Sequence, residues 1–479
     1  MRPPVNTMGA LHALVDGRLL GDPSVEVFEA THDSRQVAPG WLFIAVPGAR
    51  VDGHHFAAEA VARGASGVVS ERVLPVPVTQ LVVDDARRAM APLAAAIHGE
   101  PSSQLAVLGV TGTNGKTTVT HFIEAIARRA GRRCGLIGTV ATRLGDLEIP
   151  NPHTTPEATD FQRLLHLMVD EGAEMVACEV SSHALALERV AATRFAVAAF
   201  TNLSQDHLDL HRSMEAYFDA KAALFEMAQR KVINIDDAYG SRLAARHPDA
   251  LLVGGGGQVR AGQVSSDQQG SSFDLHLPDG TERVRINLPG PFNIENALVA
   301  AGVAHQVGFQ PGEIRDGLAD LPSVPGRFEV LEGPEGMVVV VDYAHTPDGI
   351  SSVIAAARSL ARGRVIVVFG AGGDRDRAKR PAMGEAASAA DLVVVTSDNP
   401  RSENPEAIID QVLSGVDNPA FLRVVDRRQA IAAALRSAVP DDIVLVLGKG
   451  HEPGQEIAGV IHPFDDRQVI TELFQELSP

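Results

Sequence analysis

Residues 105–131, LAVLGVTGTNGKTTVTHFIEAIARRAG, join an apolar run to a helical pattern through a glycine-rich turn. Gly112 and Gly115 permit backbone conformations that turn amide groups inward onto a phosphate. Lys116 can reach terminal phosphates, Thr117 can ligate Mg²⁺, and the start of the following helix adds a partial positive charge. We therefore predict that TGTNGKTT binds the phosphates of a nucleotide.

This loop departs by one position from the strict spacing G-x-x-x-x-G-K-[ST], because Val110 stands where the first glycine is expected and Gly109 comes one residue earlier. A glycine-rich turn with a surface lysine is the alternative interpretation. Strand, loop, lysine–threonine pair and helix occur in the expected order, which favours nucleotide binding. The loop alone does not identify a reaction.

Two later segments carry side chains that prefer hard or borderline metal ions. CEVSSHALALER, residues 178–189, places Glu179 at the end of an apolar strand, where a carboxylate can hold Mg²⁺ directly or through water. Helix capping by Ser181 or Ser182 is the alternative and does not exclude the metal role. A second group of such side chains follows another strand within six positions: Asp206, His207, Asp209 and His211.

Charged turns follow three apolar strands towards the C-terminus. Their sequences are GGDRDRAKRP (372–381), SDNPRSENP (397–405) and GKGHE (448–452). Each of these segments could be an ordinary turn that binds no ligand. On one edge of a sheet they would form a mixed pocket containing Arg375, Arg401 and Glu452. Such a pocket suits a zwitterionic ligand, because arginine binds a carboxylate through its fork and glutamate binds an ammonium.

The sequence pattern alone does not decide the roles of several other polar residues. Lys221 lies in a helical segment with an apolar face, and its composition favours a solvated lysine. Asn293 and Asn296 open a helix, where capping and ligand contact are equally compatible with the pattern. Asp342 and His345 follow another strand.

The elements around these residues alternate between strands and helices, which predicts an α/β protein with doubly wound parallel sheets. Pro101-Ser102-Ser103 reads as one linker, and LPSVPGRF (321–328) as a second boundary. We predict three domains, at residues 1–100, 101–325 and 326–479, of which the central one carries the phosphate loop. Ligands of such sheets bind at the carboxyl ends of the strands, where the polar clusters occur.

Composition excludes several function classes. A formal net charge of −18 argues against a general nucleic-acid or anionic-membrane binder. The two cysteines, Cys134 and Cys178, can form neither a disulfide framework nor a zinc site and fit a reducing cytosol. The N-terminal residues lack the apolar region of a signal peptide, and no apolar stretch is long enough to span a bilayer. We expect a soluble cytoplasmic protein.

Six further motifs occur along the chain, and the order of all the motifs together is highly specific for one family. They are DSRQVAPGWLFIAVPGARVDGHHF (33–56), HTTPE (153–157), YFDAKAALF (217–225), GPFNIENALVA (290–300), GRFE (326–329) and DYAHTPD (342–348). With the segments above they resemble the Mur ligase family over essentially the whole chain. HTTPE and EVSSHAL favour its UDP-N-acetylmuramoyl-tripeptide synthetase group, which acts in peptidoglycan precursor synthesis.

The resemblance implies an N-terminal UDP-substrate domain, a central ATPase-like domain and a C-terminal Rossmann-like domain that binds the amino acid. It implies ATP contacts from Gly112, Thr113, Asn114, Gly115, Lys116, Thr117, Thr118, Asn296, Arg327 and Asp342. It implies contacts to UDP-MurNAc-L-Ala-D-Glu from Ser34, Thr154, Thr155, Ser181 and Arg189. The catalytic residues would be Lys116, Glu179, His207 and Lys221. The Mg²⁺ ligands would be Thr117, Glu179, His207 and Lys221, the last as a carbamate formed with CO₂.

The amino acid implied by the resemblance is meso-diaminopimelate, since DNPR (398–401) resembles the signature of enzymes that add it. Its contacts would come from Arg375, Asp398, Asn399, Pro400, Arg401, Gly448 and Glu452. The extra carboxylate of diaminopimelate would pair with Arg401, whereas a lysine side chain would meet like charge there. Leu187 stands where the family commonly has glutamine, so the substrate contact of that glutamine is lost here or is supplied by another residue.

The implied reaction passes the γ-phosphate of ATP to the γ-carboxylate of D-Glu, and the amino acid then attacks the acyl phosphate. His207, His211 and His345 are unranked candidates for a general base. The alternatives are the same ligase with L-lysine or another diamino acid, and a folylpolyglutamate synthase-like ligase. A nucleotide-dependent switch and a non-catalytic sugar-nucleotide binding protein are further rivals. We expect a monomer with small-molecule substrates and no nucleic-acid partner.

Overall fold

The computed structural model describes residues 6–48, 51–149 and 153–477. Its strands are β1 Asn6–Thr7, β2 Gly17–Leu20, β3 Glu26–Val27, β4 Glu29–Thr31, β5 Trp41–Ile44, β6 Gly67–Ser70, β7 Thr79–Val83, β8 Ala106–Thr111, β9 Cys134–Ile137, β10 Thr142–Leu144, β11 Leu147–Glu148, β12 Met175–Glu179, β13 Phe195–Phe200, β14 Ala228–Asn234, β15 Leu251–Val253, β16 Arg260–Asp267, β17 Gly270–Leu277, β18 Gly280–Ile286, β19 Glu329–Glu332, β20 Val338–Asp342, β21 Val365–Phe369, β22 Leu392–Val395, β23 Phe421–Arg423, β24 Ile443–Leu447, β25 Gly454–Ile457 and β26 Val460–Pro463.

The α-helices are α1 Met8–His12, α2 Ala57–Ala62, α3 Ala86–Ile97, α4 Lys116–Arg129, α5 Ala158–Asp170, α6 Ser182–Ala186, α7 Leu208–His211, α8 Met214–Glu226, α9 Ala238–Arg246, α10 Pro291–Gln306, α11 Pro311–Asp320, α12 Pro347–Leu360, α13 Lys379–Ala387, α14 Pro405–Leu413, α15 Arg427–Ser437 and α16 Asp466–Leu477. Among the described helices, none is long and apolar enough to cross a bilayer.

The chain divides into two compact units. The first contains Met1–Thr111, Ala130–Ala199 and Ala220–Lys231, and the second contains Gly112–Arg129, Phe200–Asp219 and Val232–Pro479. The three domains at residues 1–100, 101–325 and 326–479 stay a prediction.

A five-stranded sheet in the first unit has the order β2-β7-β6-β5-β4. Only β2 within it pairs in antiparallel fashion. Leu42 and Ile44 of β5 pack into one core cluster with α1 and α3, while Phe43 packs into another with α2. Both faces of this sheet are therefore covered, which explains why β5 reads as a continuous apolar run.

The first unit also contains six neighbouring strands in the order β11-β10-β9-β12-β8-β13. β12 lies parallel to both β8 and β9. The apolar strand that ends at Glu179 is β12, and the strand that precedes Asp206 is β13. The last residue of β12, Glu179, is in register with Val110 of β8. The acidic residue thus lies at the carboxyl edge of the sheet, beside the strand that leads into the phosphate loop.

The second unit contains an antiparallel meander, β16-β17-β18, and a six-stranded sheet in the order β19-β20-β24-β21-β22-β23. All neighbours in the larger sheet are parallel except β19 and β20. Alternate residues of its buried strands pack into two core clusters, one with α12, α13 and α14 and the other with α15 and α16. This double covering confirms the predicted doubly wound α/β class.

The insertion of β24 between β20 and β21 brings together the carboxyl ends of strands that are distant in sequence. Gly448, which follows β24, donates its amide to the carbonyl of Asp342 at 3.1 Å. Thr396, which follows β22, donates to the carbonyl of Phe369 at 2.9 Å. The segments that follow these strands therefore share one edge.

Candidate active site

The phosphate loop joins β8 to α4, as predicted, and the segment after β13 holds its backbone. The amides of Thr113 and Asn114 donate to the carbonyl and side-chain oxygens of Asn202, both at 2.9 Å. The hydroxyl of Thr201 donates to the carbonyl of Asn114 at 2.6 Å. The Thr113 hydroxyl lies 3.1 Å from that of Tyr217. The loop is therefore shaped by side chains and not only by its glycines.

Both glycines predicted to shape the loop are required by its geometry. Gly112 has φ 151° and Gly115 has φ 88°. A Cβ at Gly112 would overlap the hydroxyl of Thr201, and a Cβ at Gly115 would overlap the side-chain oxygen of Asn296. The second overlap shows that Asn296, which lies 181 positions after Gly115 in the sequence, packs against the loop.

Lys116 and Thr117 present their polar groups differently. The ammonium of Lys116 donates to the carbonyls of Gly112 and Thr113, at 2.9 and 2.8 Å. The hydroxyl of Thr117 accepts from Nη2 of Arg327 at 3.0 Å. Thr117 and Thr118 are both buried. Arg327 therefore donates to the hydroxyl that is predicted to ligate Mg²⁺.

The predicted nucleotide contacts Asn296, Arg327 and Asp342 all lie in the second unit with the loop. Glycine, not asparagine, caps α10, so the capping interpretation of Asn293 and Asn296 is wrong. The Arg327 guanidinium lies 4.5 Å above the ring centroid of Tyr343.

Asp342 is buried and accepts the amides of Phe328 and Ala344, both at 2.7 Å. Burial raises its pKa, and the Arg327 charge opposes that rise. Asp342 therefore holds the turn that carries Arg327.

The segment after β13 was predicted to supply metal ligands, but its four candidate side chains do not group around one point. Within the described parts of the chain, no three His, Cys, Asp or Glu side chains are grouped so that they could hold a metal ion. Asp209 is exposed, His211 is buried with its ring 5.1 Å from that of Tyr217, and His207 lies 3.3 Å from Asp206. The prediction of one metal cluster from these four residues is therefore wrong, and only His207 stays a predicted ligand.

Asp206 instead forms a buried ionic contact that sequence reasoning missed. Its carboxylate accepts from the ammonium of Lys379 at 3.2 Å and lies 3.6 Å from Nε2 of His345. Burial alone would raise the pKa of Asp206, but His345, Lys379 and His207 together lower it well below its usual range. Because Asp206 and Lys379 are 173 positions apart, no local pattern could reveal the pair.

The predicted amino-acid pocket forms where DNPR meets GKGHE. The side-chain amide of Asn399 donates to Glu452 at 2.8 Å, and the ammonium of Lys449 donates to the same oxygen at 3.1 Å. Gly448 has φ 109°, and a Cβ there would lie 2.5 Å from a carboxylate oxygen of buried Asp398.

The first charged turn meets DNPR from the other side. The amide of Gly373 donates to the carbonyl of Asn399 at 2.9 Å, and a Cβ at Gly373 would overlap the carbonyl of Pro400. A Cβ at Gly372 would lie 3.1 Å from Nη1 of Arg401 and 3.8 Å from Cγ of Arg375. The structure thus brings all seven predicted amino-acid contacts to one sheet edge.

A buried arginine that the sequence did not single out supports this edge. Arg380 is fully buried, and its guanidinium donates to both oxygens of Glu403, at 3.1 and 2.9 Å. It also donates to the carbonyl of Gly372 at 3.0 Å. The contact with Arg380 lowers the pKa of Glu403 to about 2. The pair fixes the turn that carries Arg375.

In the first unit, Glu179 is buried and its oxygens accept from the amide and hydroxyl of Thr139, at 2.8 and 3.1 Å. The Thr139 hydroxyl also contacts that of Thr154 at 3.0 Å. The Thr155 hydroxyl donates to the Glu179 carbonyl at 2.8 Å and accepts the Ser181 amide at 3.1 Å. A carboxylate among hydroxyls is a hard oxygen donor set, which suits Mg²⁺. Ser181 also caps α6, so the capping interpretation holds as well.

Arg189 is positioned by a shared carboxylate. Its guanidinium donates to Glu157 at 2.8 Å and to the carbonyl of Thr155 at 3.0 Å. Arg87 of α3 holds the other oxygen of Glu157 at 3.0 Å and lies 3.5 Å from the carbonyl of Leu187. Arg87 therefore approaches the backbone of Leu187, the position at which the family commonly has glutamine.

Two more predicted residues are buried. Ser34 begins a short 3₁₀ helix, capped by the side chain of Asp33. Lys221 of α8 is only 1% exposed, so the interpretation as a solvated helix lysine is wrong.

Models of one family match three successive segments of the chain: "Mur ligase family, catalytic domain" at residues 29–98, "Mur ligase middle domain" at 110–304, and "Mur ligase, glutamate ligase domain" at 326–450. A relative from Caldanaerobacter subterraneus subsp. tengcongensis is 44% identical over an alignment 471 residues long, which covers 96% of this chain and 98% of the relative. The chain belongs to the Mur ligase family. That relative is named UDP-N-acetylmuramoyl-L-alanyl-D-glutamate–2,6-diaminopimelate ligase.

Solved structures agree with membership of the Mur ligase family. One with the same name has a TM-score of 0.69 at 33% identity and covers 98% of this chain and 99% of its own. The folylpolyglutamate synthase of Mycobacterium tuberculosis, complexed with ADP and AMPPCP, has a TM-score of 0.62 at 19% identity. It covers 76% of this chain and 92% of its own, and the likeness shows a shared fold alone.

Membership confirms the enzyme class predicted from the motifs: as a Mur ligase, the chain is an ATP-dependent ligase. It also argues against the nucleotide-dependent switch and the non-catalytic binding protein. The roles of individual residues, the Mg²⁺ ligands and the carbamate on Lys221 stay predictions.

Proposed function

We propose that the chain joins meso-2,6-diaminopimelate to the γ-carboxylate of D-Glu in UDP-MurNAc-L-Ala-D-Glu, in peptidoglycan precursor synthesis. The observation that carries this substrate choice is the loop of residues 398–401, whose Arg401 lies at one sheet edge with Glu452. The 44% identity to diaminopimelate ligases over nearly the whole chain supports it.

The phosphate loop is the proposed ATP site. Backbone amides of the loop and the start of α4 would face the phosphates, and Lys116 would turn its ammonium from the loop carbonyls onto them. Asn296 would contact the nucleotide beside Gly115, and Arg327 and Asp342 would lie at its ribose.

The first unit supplies the proposed contacts to the UDP-linked dipeptide. Ser34 would contact the uridine nucleotide, and Thr154, Thr155, Ser181 and Arg189 the muramoyl-dipeptide. Glu157 holds Arg189 by one oxygen, which leaves part of its guanidinium edge for a substrate carboxylate.

In the proposed reaction, an oxygen of the D-Glu γ-carboxylate attacks the γ-phosphorus of ATP, and ADP leaves. The amino nitrogen of diaminopimelate then attacks the acyl carbon of the acyl phosphate and loses a proton. Phosphate leaves with the electron pair of the broken C–O bond, and an amide remains. Lys116 would offset the negative charge that develops during phosphoryl transfer.

Mg²⁺, when bound, would neutralise phosphate charge. Glu179, His207 and Thr117 are the proposed residues that hold it, and a carbamate on Lys221 would turn a cation into an anionic ligand. We also propose that the enzyme is a cytoplasmic monomer with the three domains predicted from the sequence.

The test is phosphate release by the purified chain with Mg-ATP and UDP-MurNAc-L-Ala-D-Glu. Separate reactions would contain meso-diaminopimelate, L-lysine or L-ornithine. We expect release only with diaminopimelate, together with a UDP-linked tripeptide of the corresponding mass. Release with lysine instead would overturn the assignment of Arg401. Activity only with a folate and glutamate would overturn the proposed function.

A further inference from the structure

A hairpin that the sequence analysis did not single out, β25–β26, is attached to the DNPR loop through the backbone. The amide of Arg401 donates to the carbonyl of Glu456 at 3.0 Å, and the amide of Ala458 donates to the carbonyl of Arg401 at 2.7 Å. Arg401 itself has φ 52°, a left-handed conformation that is uncommon for residues with a side chain. Because these contacts are made by main-chain atoms, they fix which hairpin residue faces Arg401 whatever its side chain.

Further contacts make the attachment rigid. The side-chain oxygen of Asn399 accepts the amide of Glu456 at 2.9 Å, and the side chain of Gln455 donates to the carbonyl of Asp398 at 2.7 Å. Both partners belong to the loop that carries Arg401. Both the amide and the carbonyl of Glu456 are therefore hydrogen-bonded to the loop that carries Arg401.

The side chain of Glu456 is directed to the guanidinium of Arg401. Its carboxylate lies 3.4 Å from Nε of Arg401, while Nη1 donates to the carbonyl of Gly373 at 2.6 Å. The two side chains are 37% and 23% exposed. One edge of the guanidinium therefore faces an internal anion, and donors on its other nitrogens can still bind a ligand carboxylate.

Glu452, which also lies at the pocket, has a different partner. Its carboxylate accepts from Lys449, whose side chain is fully buried, and from the amide of Asn399. The charge of Glu452 is thus balanced from within the protein by Lys449. The Arg401–Glu456 pair is a separate ion pair of which both members reach solvent.

We propose that Glu456 is a specificity-determining residue that, together with Arg401, selects an amino acid whose distal end carries both a carboxylate and an ammonium. The inference rests on the proposed function, because it concerns the distal end of the amino acid added. A ligand with only a distal carboxylate brings an anion towards Glu456, and a ligand with only a distal ammonium brings a cation towards Arg401. Only a distal zwitterion matches both charges at once.

The test is Glu456→Gln, which keeps the size of the side chain, an acceptor for Nε and every backbone contact of the hairpin. Two analogues would compete with meso-diaminopimelate in the ligation: 2-aminopimelate, which lacks the distal ammonium, and L-lysine, which lacks the distal carboxylate. Their competition constants would be read from the diaminopimelate product by mass. Glu472→Gln is the matched control, since Glu472 pairs with Arg428 on exposed helix surfaces.

We expect Glu456→Gln to strengthen competition by 2-aminopimelate and to weaken competition by L-lysine. Each change should be about twofold to fivefold, the range of one partly exposed ion pair. The opposite directions distinguish a charge effect from a general disturbance of the pocket. Glu472→Gln should change neither constant.

Unchanged constants, or a shift of both analogues in the same direction, would overturn the role of Glu456 while wild-type turnover left the proposed function standing. If the wild-type chain formed no product from meso-diaminopimelate, the proposed function would fail, and this inference with it. The wild-type reaction therefore separates the two failures.

Discussion

Removal of Asp466 should destabilise the C-terminal sheet far more than removal of any exposed acid. Asp466 begins α16 and binds Arg427 of α15 through two contacts, at 2.7 and 2.6 Å, with both side chains 0% exposed. Arg427 also donates to the carbonyl of Leu447, directly before Gly448, at 3.0 Å. The pair thus connects two helices to the strand end that leads into GKGHE.

The size of the expected loss of stability depends on the state of Arg427 in the Asp466→Ala variant. Burial alone would lower the pKa of Arg427, but Asp466 outweighs it and keeps that pKa raised in the native protein. Without Asp466, the buried guanidinium would lose the carboxylate that hydrogen-bonds to it, and breaking a buried ion pair in this way destabilises proteins by about 3–5 kcal/mol. For a cooperative unit of about 150–250 residues, that corresponds to a fall in melting temperature of about 6–20 °C.

The neighbouring residue supplies the matched control. Arg428 pairs with Glu472 at 2.5 Å, but these side chains are 38% and 43% exposed. Glu472→Ala should therefore change the stability only slightly, because ion pairs between solvent-exposed side chains are weak. Two adjacent arginines on one helix thus form a buried and an exposed ion pair in the same unit.

Calorimetry would measure the melting temperature, and hydrogen exchange would locate the loss. We expect faster exchange in β24 and α16 for Asp466→Ala, and no change there for Glu472→Ala. If the two variants melted within about 2 °C of each other, the assignment of a large energy to the buried pair would be refuted.

Three further outcomes are expected. Lys116→Ala should abolish phosphate release with all substrates present while circular dichroism stays unchanged, because no other loop side chain carries a positive charge to the phosphates. Arg401→Ala should raise the diaminopimelate KM at least about tenfold and leave the ATP KM within twofold, since a charge-assisted contact is lost at only one substrate; equal effects on both KM values would contradict the pocket. The pKa of Glu403 is lowered from 4.5 to about 2 by Arg380, so its contribution to stability is present above pH 4.5 and lost as the pH falls through 2. Urea unfolding of Glu403→Gln should therefore differ from wild type at pH 6 and converge with it at pH 2.

Elements with a strong local signal were predictable from the sequence. Strands such as VIVVF and IVLVL are apolar throughout because both of their faces are covered. This continuous apolar pattern predicts a parallel sheet. The carboxyl-edge rule then placed Arg375, Arg401 and Glu452 on one edge, where the structure has them. The phosphate loop was found because its chemistry needs contiguous residues.

Contacts between distant residues could not be predicted, because they have no local pattern. The sequence around Asp206 contains histidines and so predicts a metal ligand, yet Lys379 binds the Asp206 carboxylate. Lys221 reads as a surface residue, because one cation in a helix does not disclose what packs around it. The charge of a side chain is visible in the sequence, whereas its partner depends on the packing of the whole sheet.

Three acids at the amino-acid pocket are paired with cations in the structure, and this constrains how the pocket can bind a ligand. Glu452 faces Lys449, Glu403 faces Arg380 and Glu456 faces Arg401. The first two cations are fully buried, so their pairs cannot open without leaving a charge that water does not reach. Only the pair of Arg401 and Glu456 is solvated on both sides, so an incoming carboxylate can exchange with it at little loss. Discrimination among amino acids should therefore depend on this pair, while the buried pairs hold the walls of the pocket in place.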